Sequence, residues 1–196
     1  MAMSMKVWKR KAYVSISALN GSEVALQSKT TSLGWSGGFS DVEGIDVFSG
    51  KITSLGSAED IEVTLDGIPV SHADFDWIAA GQTASTAFGT GGATITTSTD
   101  ERKYRVVFLW TDQTGVTGAT QAITSSYEAY RRGWADCYLT SLEGSHDAGD
   151  NLTCNMTFKT TEEDEDGRNN WGIWAKDTTT GTLSALNAFT SSTTKW

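Results

Sequence analysis

Apolar and polar residues alternate along several short stretches of the chain, as they do in strands with one buried face. The pattern predicts one strand over residues 9–18 and another over residues 61–65, with residues 23–35 as a partner for the first. Residues 104–110 are almost all apolar, with many β-branched and aromatic types. This composition indicates a strand that is buried on both faces near the centre of a sheet.

Residues 131–161 contain two further strands and a turn at residues 144–150, which predicts a long antiparallel hairpin. One face is apolar and is expected to face the core: Ala135, Cys137, Leu139, Leu152, Cys154, Met156 and Phe158. Because side chains alternate along a strand, the opposite face carries Trp134 and a mostly polar set: Asp136, Tyr138, Thr140, Thr153, Asn155, Thr157 and Lys159. Such a face needs no core behind it.

The segments between these strands are long. Residues 72–80 are the best candidate for a short helix, and residues 80–99 and 111–126 are small, polar loops. Residues 37–60 leave the sheet as a long loop with an apolar and acidic composition. Loops longer than about 12–15 residues are usually functional or disordered, and the apolar content favours function. The candidate functional residues of this loop are Asp41, Val42, Glu43, Ile45, Val47 and Phe48.

Composition agrees with an all-β fold, since 20 glycines and a single proline accompany many Ser and Thr residues. The pattern predicts a β-sandwich or partial barrel with one short helix. A length of 196 residues favours one domain. We expect this domain over residues 1–166 and a C-terminal arm or added hairpin over residues 167–196.

The net charge of the chain argues against one class of function. Acidic residues outnumber basic ones 24 to 15, giving a net charge of −9, which argues against binding nucleic acid by neutralising its phosphates. The sequence contains no run of eighteen apolar residues and so predicts no membrane span. Residues 1–19 superficially imitate a signal peptide, but strand-like alternation in the apolar part favours synthesis in the cytoplasm.

Candidate chemistry is sparse. His72 and His146 lack partners at metal-ligand or catalytic spacing. The acidic run at residues 162–166 does not fit a calcium loop, and the glycine-rich stretches do not fit a nucleotide-binding loop. We therefore expect no catalytic, cofactor or metal site. Cys137 and Cys154 are interpreted as buried, reduced thiols, with a cross-strand pair as the alternative.

Several segments together resemble the major tail tube proteins of long-tailed viruses with flexible, non-contractile tails, the lambda-like siphoviral group. The resemblance covers roughly residues 10–161 and lies in Asp41–Asp46, Gly50–Ile52, Asp60–Gly67, Pro69, Tyr104–Phe108, Tyr130–Gly133, Ala135, Ser141–Glu143, Gly149–Asp150 and Met156–Thr160. The chain departs from that family at the acidic run Glu162–Asp166 and in the extra segment that follows it.

The resemblance implies a protomer that assembles into hexameric rings, which stack into a tube for genome passage. In such an assembly we expect the long loop to mediate stacking, because of its apolar residues, and the polar face of the hairpin to line the channel. The expected partners are other copies of the chain, a tape-measure protein, and terminator and baseplate proteins. DNA would pass without specific binding. The protein would assemble in the host cytoplasm and reside in the virion.

Two other functions remain open. A tube protein of a bacterial secretion or injection machine would share this architecture. A monomeric carbohydrate-binding or adhesive β-sandwich could use some of the eight tryptophans as sugar platforms.

Overall fold

A computed structural model describes residues 11–20, 23–25, 28–37, 39–46, 50–58, 60–69, 103–145 and 153–196. These residues form ten strands and no helix, which confirms the all-β class. The strands are β1 (Lys11–Ala18), β2 (Glu23–Ala25), β3 (Ser28–Ser36), β4 (Phe39–Asp46), β5 (Gly50–Ala58), β6 (Ile61–Pro69), β7 (Lys103–Thr111), β8 (Ala129–Ser145), β9 (Thr153–Thr160) and β10 (Trp171–Lys176). The helix expected at residues 72–80, the loop at 80–99 and both histidines lie outside the described residues.

Eight strands form one antiparallel sheet in the order β2-β1-β7-β8-β9-β6-β3, and β10 pairs with β8 beside this path. β9 lies along the C-terminal half of β8 and β10 along its N-terminal half. The two strands thus continue one another along the same edge of β8. Residues 161–170 connect them.

The main core lies on one face of this sheet. Val24 of β2 and Leu33 of β3, at the two ends of the sheet, both pack against it, so the sheet curves around one core. The buried members are Val14, Ile16, Ala18, Val63, Leu65, Tyr104, Val106, Trp134, Cys137, Cys154, Met156 and Phe158. This curvature matches the expected sandwich or partial barrel.

A second core lies on the other face, against β7 and the first half of β8. Val107 and Leu109 contribute from β7, and Val116, Ala119 and Ile123 come from the connection between β7 and β8. Because Val106 faces the main core and Val107 the second, β7 is buried on both faces as predicted. The connection at 111–126 is therefore not a solvated loop but a cover for the sheet.

A bulge at Asp136 interrupts β8. Ala135 and Asp136 together lie opposite a single residue of β7, Arg105. Asp136 adopts φ 50°, in the left-handed region that Asp tolerates better than most residues. The extra residue reverses the alternation of β8, so Trp134 and Cys137 face the same core. The prediction that Trp134 and Asp136 lie on an exposed face is wrong, since Trp134 is fully buried and Asp136 is 4% exposed.

The rest of the hairpin agrees better with the predicted alternation. In β9, Cys154, Met156 and Phe158 are buried while Asn155 and Lys159 are exposed, which confirms the faces predicted for this strand. A second bulge in β8, at Thr140, keeps Leu139 and Leu142 on the core side. Leu152 lies outside the described residues.

Both cysteines are buried and free, as the interpretation of two reduced thiols requires. They are not cross-strand neighbours. Cys154 lies opposite Gly144, seven residues from Cys137 along β8, which is about 20 Å in an extended strand. The distance follows from their places in the hairpin, because Cys154 lies one residue and Cys137 eight residues from the pair Ser145–Thr153.

Two other segments differ from the expectations. Residues 37–60 contain β4 and β5, which pair into a separate two-stranded sheet instead of forming an irregular loop. Residues 23–35 do not form one partner of β1, because β2 pairs with β1 while β3 pairs with β6.

Candidate functional site

Four neighbouring strands, β3, β6, β9 and the C-terminal half of β8, share a face on which none of the side chains that the structure describes is buried. We call it the open face. Cross-strand register arranges it in three rows: Ser32–Asp66–Asn155–Glu143, Gly34–Thr64–Thr157–Ser141 and Ser36–Glu62–Lys159–Tyr138. Every one of these residues is exposed or half-buried. The opposite side of the same strands is the main core, so the face follows from simple alternation on a half-buried sheet.

The open face is polar and carries more negative than positive charge. Glu62 and Lys159 form an ion pair with 3.2 Å between Oε2 and Nζ. Asp66 and Glu143 add two further carboxylates, so three acidic groups and one basic group leave a formal charge of −2 per subunit. The remaining residues are five serines and threonines, one asparagine, one tyrosine and one glycine. Such a surface attracts neither an apolar partner nor a polyanion.

The four-stranded part of the sheet ends in unpaired backbone on both sides. β3 is the last strand of the sheet, and within the described chain it pairs only with β6. Residues 139–145 of β8 pair with β9, whereas β7 reaches only as far as Tyr138. Two different edges therefore stand at opposite ends of one face, and each presents unpaired N–H and C=O groups in the described part of the structure.

An exposed tryptophan marks the β3 edge. Trp35 is 44% exposed, and its ring centroid lies 5.6 Å from that of Trp134. The Arg132 guanidinium lies 4.6 Å from the Trp35 centroid, in cation–π geometry. Trp35 is thus held on the core side of the edge strand while much of its ring remains open.

Six of the seven residues predicted for the hairpin's polar face are exposed or half-buried, on or beside the open face: Tyr138, Thr140, Thr153, Asn155, Thr157 and Lys159. Asp136 is not among them. Sequence reasoning missed the β3 and β6 contribution, although the alternation of Glu62 and Thr64 with apolar neighbours signalled it. The missing information was strand pairing, which sets β6 beside β9.

Four of the six residues predicted to act in the long loop lie in a strand. Asp41, Val42, Glu43 and Ile45 lie in β4, and their partners in β5 include Leu55 and Lys51. Val47 and Phe48 lie outside the described residues. β4 and β5 pair only with each other in the described chain, so this hairpin forms a two-stranded sheet of its own.

Residues 177–196, the C-terminal strap, are held on the sheet by buried cations that donate to backbone carbonyls. Arg131 donates to the carbonyls of Ala119, Gln121 and Ser184, with Nη1 to the last at 2.7 Å. Burial lowers the pKa of Arg131 to about 10, and the nearby Glu23 opposes the shift. The strap is therefore part of the folded subunit.

An ionic cluster surrounds Lys195, beside a cavity of about 630 Å³. The Lys195 amine lies 2.7 Å from Asp164 Oδ2 and 3.4 Å from Asp136 Oδ2. The hydrogen bond from Lys195 and a backbone N–H from Arg168 hold the pKa of Asp164 well below its usual value. Within the described ranges, no group of three or more His, Cys, Asp or Glu side chains could hold a metal ion.

Tryptophans are divided between packing and surface positions. Trp174 and Trp196 meet edge to face with centroids 5.1 Å apart, beside a shallow cavity of about 480 Å³. Trp134 is buried, and Trp8 and Trp77 lie outside the described residues. The part of the chain that the structure describes contains no helix long and apolar enough to span a membrane.

No protein-family model matches the chain. No curated protein matches it either. Among solved structures, it is similar to a chain of the sheath-tube complex of an extracellular contractile injection system (PVC), at 15% identity, a TM-score of 0.48, and coverage of 83% of this chain and 88% of that chain. It is also similar to a chain of the PVC sheath/tube terminator structure, at 13% identity, a TM-score of 0.47, and coverage of 89% and 98%. An Hcp protein aligns at 11% identity and a TM-score of 0.36, with coverage of 84% and 98%. At TM-scores below 0.5 these likenesses do not establish what the chain does.

Proposed function

We propose that this protein is a structural subunit of a viral tail tube, with no catalytic role, that self-assembles into stacked hexameric rings for genome delivery. The observation that carries the proposal is the open face together with its two unpaired edges. Such a surface is a disadvantage for an isolated monomer, because unpaired strand edges invite association with other chains. It becomes useful when copies of the chain join edge to edge.

The two edges favour ring closure. The β3 edge and residues 139–145 of β8 are different surfaces, so pairing them is a head-to-tail contact, which closes into a ring if the rotation allows. Each copy would then extend the sheet of the next and leave no free edge within the barrel. Trp35 on the core side of β3 would pack near Leu142 on the core side of β8, because pleating keeps core-side residues on one side.

The open face would line the channel. Its carboxylates and short hydroxyls give phosphates little to bind, and six copies of a −9 chain carry 6 × (−9) = −54 formal charges. DNA could slide through such a conduit without specific binding. The β4–β5 hairpin would contact the next ring. Tape-measure, terminator and baseplate proteins would complete the tail, which assembles in the host cytoplasm.

Electron microscopy and analytical ultracentrifugation of the purified protein test the proposal, with a set of matched variants. Trp35→Lys and Leu142→Lys each place a charge beside one edge, and each should prevent ring formation while leaving the monomer folded. Ile173→Lys is the control, because Ile173 is 46% exposed but lies on β10, away from both edges. It should still form rings.

Mixing the two edge variants distinguishes a head-to-tail contact from a symmetric one. The intact β8 edge of Trp35→Lys can pair with the intact β3 edge of Leu142→Lys, so the mixture should give one-to-one dimers and nothing larger. Rings formed by either variant alone would contradict the edge assignment. A wild-type protein that stays monomeric and binds glycans on an array would instead support the carbohydrate-binding alternative. Tubes that carry protein instead of DNA would support the injection machine.

A further inference from the structure

Lys195 is a buried cation whose amine contacts three residues in two separate segments of the chain. Its side chain is 3% exposed, and Nζ lies 3.4 Å from Asp136 Oδ2 and 2.7 Å from Asp164 Oδ2. It also donates to Asn170 Oδ1 at 2.6 Å. One amine therefore joins the bulge of β8 to the connection between β9 and β10.

The bulge depends on compensation for a buried carboxylate. Asp136 Oδ1 accepts a hydrogen bond from Ser192 Oγ at 3.0 Å, while Oδ2 has no hydrogen-bond donor and relies on ion pairs. Of the two lysines near Oδ2, Lys195 is both closer and more buried, since Lys103 lies at 3.9 Å and is 30% exposed. A buried carboxylate without a cation is unstable, so Lys195 is the group that lets Asp136 remain where it is.

The backbone of Lys195 is fixed independently of its amine. Arg105 Nη1 donates to the carbonyls of Lys195 and Asn187, both at 2.8 Å. The ring of Trp196 packs so closely over Gly133 that a Cβ there would come within 2.5 Å of it. The end of the strap is therefore anchored on β7 and β8, and the amine is presented to Asp136 from a rigid base.

We infer that Lys195 is a positioning residue that holds the Asp136 bulge and thereby decides which side chains of residues 137–145 face the core and which belong to the open face. Inserting or removing one residue in a strand exchanges the two faces of the part that follows. Without the bulge, Cys137 would leave the core and Tyr138 would enter it. The inference concerns a single subunit, so it stands or falls independently of assembly.

The two native cysteines report on this inference directly. Cys137 immediately follows the bulge and is fully buried, whereas Cys154 lies on β9, which pairs regularly with β6. Maleimide labelling of the native full-length protein, followed by peptide mass spectrometry, measures each thiol separately. Loss of the bulge should expose Cys137 and leave Cys154 protected, while general unfolding should expose both.

Three variants complete the test. Lys195→Met keeps the stem but removes the charge, and should label Cys137 at least about tenfold faster than wild type with Cys154 unchanged. Lys195→Arg should behave as wild type. Adding Asp136→Gly to Lys195→Met should restore protection, because glycine adopts a positive φ and brings no carboxylate to compensate. Protection of Cys137 in Lys195→Met, equal labelling of both cysteines, or failure of Asp136→Gly to restore protection would each overturn the inference.

Discussion

Glu62 on β6 and Lys159 on β9 lie directly opposite each other on the open face and form an ion pair at 3.2 Å. The pair neutralises the one basic side chain among the three rows of that face. Both side chains remain well exposed, at 37% and 46%. Water screens such a pair, so its role is to set the charge of the surface more than to stabilise the fold.

Lys159→Gln should therefore have little effect on folding. We expect the free energy of unfolding to change by less than about 1 kcal/mol, because exposed ion pairs contribute little. Urea denaturation followed by tryptophan fluorescence measures this change. A loss of several kcal/mol would mean that Lys159 has a structural role that its exposure does not suggest.

Arg131→Met should be far more damaging. Arg131 is fully buried and donates to three carbonyls, two of them in the β7–β8 connection and one in the strap. Removing the guanidinium leaves these acceptors buried without donors, which should cost about 3 kcal/mol or more. The control is Arg168→Met, since the Arg168 side chain is 43% exposed and its removal should cost far less stability. Similar losses for both variants in urea denaturation would contradict the prediction.

Sequence patterns were most reliable where a strand is regular. β7 is buried on both faces as its apolar composition predicted, and β9 has the faces predicted from alternation, because neither contains an extra residue that changes its own parity. The prediction for β8 was wrong at Asp136, because no local signal in the sequence indicates a bulge there. The charge of Asp136 is balanced by Lys195, which lies fifty-nine residues later in the chain. Only part of the open face was predicted, for a related reason. Alternation along the sequence gives the two faces of β6, but the pairing of β6 with β9 joins residues far apart in the chain.

Acid should weaken the fold partly through Asp164. Its folded-state pKa lies below the ordinary value of 3.8, chiefly because of the hydrogen bond from Lys195. Its contribution to stability is therefore complete above about pH 5 and is lost as the pH falls below the ordinary pKa. Asp164→Asn should flatten the decrease in melting temperature between pH 5 and 2.5, and Glu165→Gln, at an exposed neighbour, should not. An unchanged pH profile in Asp164→Asn would rule out this contribution.

The β4–β5 hairpin offers a test of ring stacking. Asp41 lies opposite Leu55, so replacing residues 42–54 with Asn-Gly leaves that pair closed by a two-residue turn. Among the described strands, none of the main sheet pairs with this hairpin, so the variant should fold with a melting temperature near that of wild type. We expect rings but no tubes in electron micrographs. Full-length tubes would show that stacking uses another surface.

The charge of the proposed channel is best tested at Asp66, an exposed residue between Ser32 and Asn155 on the open face. Asp66→Lys changes the side chain from −1 to +1, which adds two positive charges per subunit and 6 × 2 = 12 per ring if the ring is hexameric. Tubes should still form, because a substitution at an exposed position usually costs little stability. DNA should then bind inside the tube at low salt and be released at high salt, since contacts with phosphates weaken as salt rises.

Delivery by particles carrying the variant should slow in the same salt-dependent way. Glu165→Lys makes the same charge change on the β9–β10 connection, outside the open face, and should leave DNA retention and delivery unchanged. If both variants retain DNA equally, or neither does, Asp66 does not face the path of the genome.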